Sequence, residues 1–253
     1  MSKSQVYLMP MRPVGSRWLL AAPNEHFRWE TRRDMGTSHI SFAMWFKPTA
    51  TLVTDAPIVH SITTSASYIG WAVNARPDRA LRLRWGADAD RRTHDSFANA
   101  YEENAWNFLL LTMQRDGNAA LWVNDMTTAK IGPTSMAADA AIAWSTGANP
   151  WTIGASSTSI MQQMLVARVA LIVGDLFTAD DRAELYNSGR GVLYANLSST
   201  LKAKFSTTQD YFDLRERSGN GLNAVTAGAN QALLGYAGAS ASSAIRFARG
   251  PRR

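Results

Sequence analysis

The sequence contains no cysteine, and this absence removes several classes of protein at once. Without thiols there is no disulfide scaffold, no cysteine-ligated zinc or iron–sulfur site and no cysteine nucleophile. The sequence also lacks any apolar run of about 18 residues, so it offers no candidate membrane-spanning helix. Its first residues lack the apolar run of about 7–15 residues that marks a secretory signal. We therefore expect no membrane partner and no recognisable secretory signal.

Common catalytic motifs are also absent. The sequence has no Gly-x-Ser-x-Gly, no His-Glu-x-x-His and no Gly-x-x-x-x-Gly-Lys-Ser/Thr segment. The four histidines are scattered, and none stands at the spacing of metal ligands. The neighbouring Glu102 and Glu103 would face opposite sides of a strand, so they do not form a catalytic pair. These absences predict that the protein is not an enzyme.

The composition is that of a folded, strand-rich protein. Of the 253 residues, 46% are hydrophobic, 10% aromatic and only 18% charged, which is enough apolar material for a sizeable core. The net charge of +6 is modest and neither demands nor excludes a polyanionic partner. Apolar residues recur at every second position in short blocks, which is typical of half-buried antiparallel strands. This pattern predicts strands at residues 39–46, 68–73, 80–85, 106–113, 119–123, 151–154, 164–173 and 209–214.

Two local patterns refine this prediction. The segment 114–118 reads QRDGN between two predicted strands, and its Asp-Gly pair predicts a tight hairpin that uses a positive φ angle. In the strand at 80–85 the side chains alternate between an apolar face and a basic one. The apolar face carries Leu81, Leu83 and Trp85, and the basic face carries Arg82 and Arg84.

One helix is well marked in the sequence. Thr178 stands three residues before Asp181, the spacing of a capping box, and Gly189 provides a stop, so we expect a helix at 179–188. A weaker pattern predicts a second helix at 198–205. The stretch 218–244 is rich in small residues and is interpreted as loop.

The order of these elements is informative when taken together. The run ISFAMWFKPT at 40–49, the WNFLLLTMQRDGNAALWVND hairpin at 106–125 and the LFTADDRAELYN helix at 176–187 resemble the concanavalin A-like, laminin-G-like superfamily over about residues 15–235. The resemblance implies an all-β fold, a two-sheet antiparallel jelly-roll sandwich with one short helix. It divides the chain into an N-terminal arm at 1–14, the sandwich domain at 15–235 and a basic C-terminal arm at 236–253.

The segment DLRERSG at 213–219 further resembles laminin-G-like domains of bacteriophage and other viral structural proteins. This resemblance implies a structural or accessory virion protein that is assembled in the host cytoplasm and either decorates a capsid or joins a tail. Its expected partners are other virion proteins, with a homo-oligomer as a further option.

The alternative is a lectin-like module that binds a host-surface glycan. Nine tryptophans are many for this length, and an exposed ring serves as a platform for sugars. Most of them lie on apolar strand positions, so Trp144, next to a Ser-Thr-Gly segment, is the candidate exposed ring. The resemblance implies that glycosidases of this superfamily would carry Glu-x-Asp-x-Glu or Glu-x-Asp-x-x-Glu on one strand. That motif is absent, which excludes glycoside hydrolysis.

No cofactor is required by this interpretation, but laminin-G-like domains often bind calcium. Asp88, Asp90 and Asp95 offer hard oxygen ligands close together in the sequence, and they are the candidate calcium ligands. Arg91 and Arg92 lie within the same segment, so a salt-bridged segment without metal is the favoured alternative.

The C-terminal arm concentrates positive charge. Its candidate contact residues are Arg246, Phe247, Arg249, Arg252 and Arg253. Basic tails of this kind become ordered on an acidic partner surface, so docking on a partner, or a solvated tail, is favoured over nucleic-acid binding. Nucleic acid is therefore not an expected partner.

Overall fold

The computed structural model of the protein describes residues 19–21, 25–29, 35–62, 69–87, 90–144, 151–154, 164–205, 209–213, 225 and 232–236. The predicted N-terminal arm and the five candidate contact residues of the C-terminal arm lie outside these residues, so their roles stay predictions. None of the helices in the described segments is both long and apolar enough to cross a bilayer.

The described chain forms fourteen strands and two short α-helices. The strands are β1 (Leu19–Ala21), β2 (Glu25–Trp29), β3 (Ile40–Pro48), β4 (Ala56–Ile62), β5 (Gly70–Ala75), β6 (Leu81–Ala87), β7 (Asp90–Asp95), β8 (Asn107–Met113), β9 (Asn118–Val123), β10 (Ile131–Ser135), β11 (Thr152–Ile153), β12 (Met164–Val173), β13 (Asp210–Phe212) and β14 (Ala232–Tyr236). The helices are α1 (Ala179–Tyr186) and α2 (Ser199–Lys204). All eight predicted strands are present, whereas β14 lies in a stretch that was interpreted as loop.

The strands pair into two antiparallel sheets, which confirms the predicted sandwich. Among the described residues, the first sheet runs in the order β1-β12-β3-β8-β9-β10, with β13 also paired to β12. The second sheet runs in the order β14-β2-β11-β4-β5-β6-β7. Side chains from both sheets fill the space between them, with Phe42 and Leu111 from the first sheet and Trp71 and Trp85 from the second. The predicted alternation in β6 is confirmed, because Leu81, Leu83 and Trp85 belong to this core.

The first sheet is buried on its outer face as well. A second apolar cluster places Trp45 and Trp122 of the sheet against Leu185 of α1 and Leu201 of α2. Burial on both faces explains why β8 is buried at all of its positions, since neither set of alternating side chains meets water. The outer face of the second sheet carries polar side chains, among them Arg82 and Arg84 of β6.

Both helices begin as the sequence predicts. Thr178 and Asp181 form a capping box at the start of α1. At the start of α2, the hydroxyl of Ser198 accepts a hydrogen bond from the backbone amide of Leu201 at 3.1 Å. The end of α1 was predicted two residues too late. Asn187, at φ 47°, ends the helix in place of the glycine that follows, because asparagine also tolerates the left-handed conformation.

The predicted hairpin between β8 and β9 is present. The amide of Gln114 donates to the carbonyl of Asn118, and the amide of Gly117 donates to that of Gln114, each at 3.0 Å. The expected positive φ angle is absent at Gly117. A Cβ at this position would lie 2.6 Å from Cδ of the Gln114 side chain, which would have to shift to make room.

Candidate functional site

Trp144, predicted to be an exposed sugar platform, lies in the core. The residue is 0% exposed, and its backbone amide donates to the carbonyl of Gly36 at 2.7 Å. The guanidinium of Arg115 covers the ring, with its central carbon 3.6 Å from the ring centroid. Arg115 is itself buried and donates to the carbonyls of Asp139 and Ile142. The prediction was wrong because the polar residues that follow Trp144 suggested a loop, whereas a buried arginine fixes the ring inside.

Two of the three predicted calcium ligands, Asp90 and Asp95, lie far apart in the structure. Asp90 and Asp95 are the first and last residues of β7, so their Cα atoms are about 17 Å apart at about 3.3 Å per residue. Asp95 instead pairs with Arg82 and Arg76, whereas the predicted alternative drew its salt bridges from Arg91 and Arg92 within the segment. Within the described part of the chain, no three His, Cys, Asp or Glu side chains come together to hold a metal. Asp88 lies outside that part, so a calcium role for it stays a prediction.

Three connections lie together at one end of the sandwich, and we call them the loop end. They are residues 49–55 between β3 and β4, residues 76–80 between β5 and β6, and residues 96–106 between β7 and β8. Backbone hydrogen bonds join them: the amide of Asn104 donates to the carbonyl of Pro48 at 3.0 Å, and the amide of Asn99 to that of Asp78 at 3.1 Å. The loop end is therefore one connected surface.

Ion pairs on the second sheet link the strands to the connections of the loop end. Arg82 Nε donates to Asp95 Oδ1 at 2.7 Å, and Arg82 Nη1 donates to Asp55 Oδ2 at 2.7 Å. Arg76 Nη1 also donates to Asp95 Oδ2 at 2.8 Å, and Arg84 Nη2 lies 3.5 Å from Asp55 Oδ2. Three arginines thus share two carboxylates, which leaves the cluster with a net positive charge. We call these five residues the ion-pair network.

The strand register creates this network. Arg82 of β6 lies directly opposite Asp95 of β7, so the two side chains meet on the outer face of the sheet. Hydrogen bonding from Arg82, more than the charges around it, holds the pKa of Asp95 below its usual range. The same contact raises the pKa of the Arg82 guanidinium. Both groups therefore stay charged at neutral pH and hold the two strands in a fixed geometry.

Three residues of the loop end other than glycine adopt the left-handed backbone conformation. They are Arg79 at φ 60°, Asn99 at φ 59° and Asn104 at φ 57°. Asparagine tolerates this region, but for arginine it is strained. The Arg79 guanidinium donates to the side-chain oxygen of Asn99, which ties two of these left-handed residues to each other. Backbone strain of this kind persists where the surrounding structure fixes it and is often found at ligand-binding sites.

Two large apolar side chains project from this rigid surface into water. Phe97 is 93% exposed and Val53 is 87% exposed. Phe97 follows Asp95 by two residues, and Val53 precedes Asp55 by two. Each apolar residue therefore lies two positions along the chain from a carboxylate of the ion-pair network. A surface that carries an exposed aromatic ring together with arginine and asparagine side chains has the composition of a recognition surface. Sequence analysis missed Phe97, although its polar segment, SFANA, offered a signal because no alternating apolar partner accompanies it.

The outer face of the second sheet continues from the network towards β11. His60 lies between Ala72 and Thr152 in the strand pairing. Burial, followed by the nearby charge of Arg84, lowers the pKa of His60 to about 4. This imidazole is therefore neutral at pH 7 and adds no positive charge to the face.

The comparisons with known proteins agree with this architecture. The fold defines a class first, namely β-sandwich domains of the jelly-roll type. A family profile described as the concanavalin A-like lectin/glucanases superfamily, in its laminin-G-type branch, matches residues 22–170, more than half of the chain. The protein therefore belongs to the concanavalin A-like lectin/glucanase superfamily. A search of curated protein sequences gives no significant match.

Solved structures resemble the chain in fold at low sequence identity. A Bacteroides ovatus ATCC 8483 protein, provisionally described as carbohydrate binding, aligns with a TM-score of 0.58 and 13% identity over 86% of this chain. The alignment spans only 57% of that protein's own length. The binding domain of botulinum neurotoxin DC, solved in complex with rat synaptotagmin II, aligns with a TM-score of 0.45 and 17% identity over 61% of this chain and 36% of its own.

Proposed function

We propose that this protein is a non-catalytic binding domain that recognises a partner surface through its loop end, and that it serves as a structural or accessory protein of a virion. The observation that carries the binding role is Phe97, held 93% exposed above the ion-pair network. Removing apolar surface from water is favourable by about 25 cal/mol per Å², and an exposed ring does not obtain this free energy within the chain. A partner that covers the ring would provide it. Because the network already fixes the loop, little conformational entropy is lost on binding.

The charges of the network support binding over catalysis. Glycoside hydrolysis needs a carboxylic acid that stays protonated near neutral pH, which requires a raised pKa. At the loop end the opposite holds, since Arg82 lowers the pKa of Asp95. A carboxylate kept ionised by arginines orients a surface and does not donate a proton.

The virion role extends this proposal to a location and to partners. It is supported by the resemblance of residues 213–219 to laminin-G-like domains of viral structural proteins. In this role the sandwich presents the loop end outwards, and the basic C-terminal arm contacts a neighbouring capsid or tail protein. The superfamily to which the chain belongs is described by its lectins as well as its glucanases, so a binding role is within its range.

Host-glycan recognition is the second candidate, because an aromatic ring beside polar side chains also suits a sugar face. The two candidates are separated by testing the purified full chain against density-purified virus particles from its source and against a glycan array, with and without calcium. Particle binding that is lost on deletion of residues 245–253 would support the virion role. Array signal without particle binding would replace it with the lectin role. Calcium dependence of that signal would support Asp88 and Asp90 as calcium ligands. Binding to neither would contradict both.

A further inference from the structure

A pocket of about 500 Å³ lies outside the first sheet, beside α1. Its polar lining comes from Arg168 of β12, Glu184 of α1 and the segment after that helix, which contributes Asn187, Arg190, Gly191 and Asn196. The volume falls within the range of about 300–1,000 Å³ that is typical of small-molecule sites. Neither the sandwich core nor the ion-pair network uses these residues.

Arg168 is placed in this pocket by an irregularity in the sheet. The pairing of β12 with β3 shifts register between Ala167 and Val169, and Arg168 is the extra residue of this β-bulge. Its φ angle is 47°, a strained value for arginine, and the residue is only 4% exposed. Burying an arginine and straining its backbone both cost free energy. Bulges are over-represented next to active sites, where they re-aim a side chain.

The neighbouring chain holds the Arg168 guanidinium in a defined position. Its Nη1 donates to the carbonyl of Arg190 at 2.9 Å. Gly191, at φ 62°, passes so close that an added Cβ would lie 2.6 Å from Arg168 Nη1 and 2.6 Å from Nε1 of Trp45. The pocket wall at this point is therefore backbone packed directly onto a cation and an indole.

The charges of the lining define the ligand. Arg168 and Arg190 bring two positive charges. The one carboxylate, Glu184, already accepts hydrogen bonds from the amide of Ser198 at 2.6 Å and from its hydroxyl at 2.8 Å. Guanidinium groups match carboxylates in shape and charge, and amides such as Asn196 match sugar hydroxyls. We propose that this pocket binds a carboxylate-bearing sugar, with its carboxylate at Arg168 and Arg190 and its hydroxyls at Asn196.

The test is a titration of the isotope-labelled full chain with glucuronic acid and N-acetylneuraminic acid, followed by NMR. Glucose serves as the neutral analogue and acetate as the carboxylate without a sugar. The indole N–H signal of Trp45, assigned through Trp45→Phe, reports on the pocket because it lies against Gly191. We expect at least one sugar acid to shift this signal with saturation, while glucose and acetate do not.

Variants locate the binding site. Arg190 is exposed, so Arg190→Gln is expected to fold and to weaken sugar-acid binding about tenfold or more, the effect of losing a charged hydrogen bond. Lys130→Gln removes the same charge at an exposed position outside the pocket and should bind as the wild type does. Arg168→Gln should abolish binding; if it does not fold, Arg190→Gln alone decides. Saturation by acetate alone would reduce the proposal to a carboxylate site. Absence of any sugar-acid shift, or equal binding by Arg190→Gln, would overturn it.

Discussion

The substitution Trp144→Ala tests whether the Trp144 ring is buried. Because the structure places the ring in the core, it predicts a severe loss of stability. The ring is 0% exposed, so its removal leaves a cavity that costs about 3–5 kcal/mol. It also removes the stacking partner of Arg115, 3.6 Å from the ring centroid, and a desolvated cation–π contact is worth about 2 kcal/mol. Part of these two terms overlaps, so we expect the free energy of unfolding to fall by about 5 kcal/mol.

The assay is urea unfolding followed by near-ultraviolet circular dichroism, at pH 7. A domain with a total stability of about 5–15 kcal/mol would become marginal after this change, so Trp144→Phe is measured as well. It keeps an aromatic ring under Arg115 and should lose less. Phe97→Ala is the matched control, because truncating an exposed ring should change stability by about 0.5 kcal/mol or less. A loss below about 1 kcal/mol for Trp144→Ala would refute the buried position, since that is the effect of an exposed side chain.

Three further predictions concern the stability of the fold. Gly191→Ala should lower the free energy of unfolding by about 2 kcal/mol or more, because it adds a steric clash to a left-handed φ angle. The control Gly36→Ala, at φ 50° with open space around it, should show the cost of the backbone strain alone, and equal losses for the two variants would refute the clash. The pKa of His60 lies near 4 in the folded chain and 6.5 in the unfolded one, so the unfolded state takes up this proton first. Stability should therefore fall by up to about 3 kcal/mol as the pH drops from 6.5 to 4, and His60→Gln should remove most of that slope in urea titrations at stepped pH. Thr178→Ala removes the cap of α1 and should lower the melting temperature through a loss of about 1 kcal/mol, and an unchanged melting temperature would contradict the capping role.

Most strands with apolar alternation could be predicted from the sequence, although the largely apolar β4 and β14 were missed together with the polar strands. The strand at 164–173 was predicted with the bounds that the structure gives. The strand β7 reads DRRTHD and was missed, because its pairing rests on backbone hydrogen bonds and its charges suit an edge of the sheet. The strand β10 carries an internal glycine and proline, which removed the expected pattern.

The candidate site depends on tertiary contacts that a single sequence does not reveal. The pairing of Arg82 with Asp95 requires the register of β6 against β7, and the sequence pattern did not predict β7. The exposure of Phe97 and the burial of Trp144 were both missed from the sequence. Each aromatic residue is followed by small or polar residues, yet one is exposed and the other is covered by Arg115. What distinguishes them is the partner that the fold brings to each ring.

The most direct test of the account is the affinity of the full chain for its partner surface, measured for wild type, Phe97→Ala and Phe97→Tyr by co-sedimentation with purified particles or on the glycan identified by the array. Phe97→Ala should weaken binding at least tenfold at unchanged stability, since a central aromatic contact is worth about 2 kcal/mol or more. Phe97→Tyr retains the ring and should bind close to the wild type. Equal affinity of all three proteins would contradict recognition through the loop end.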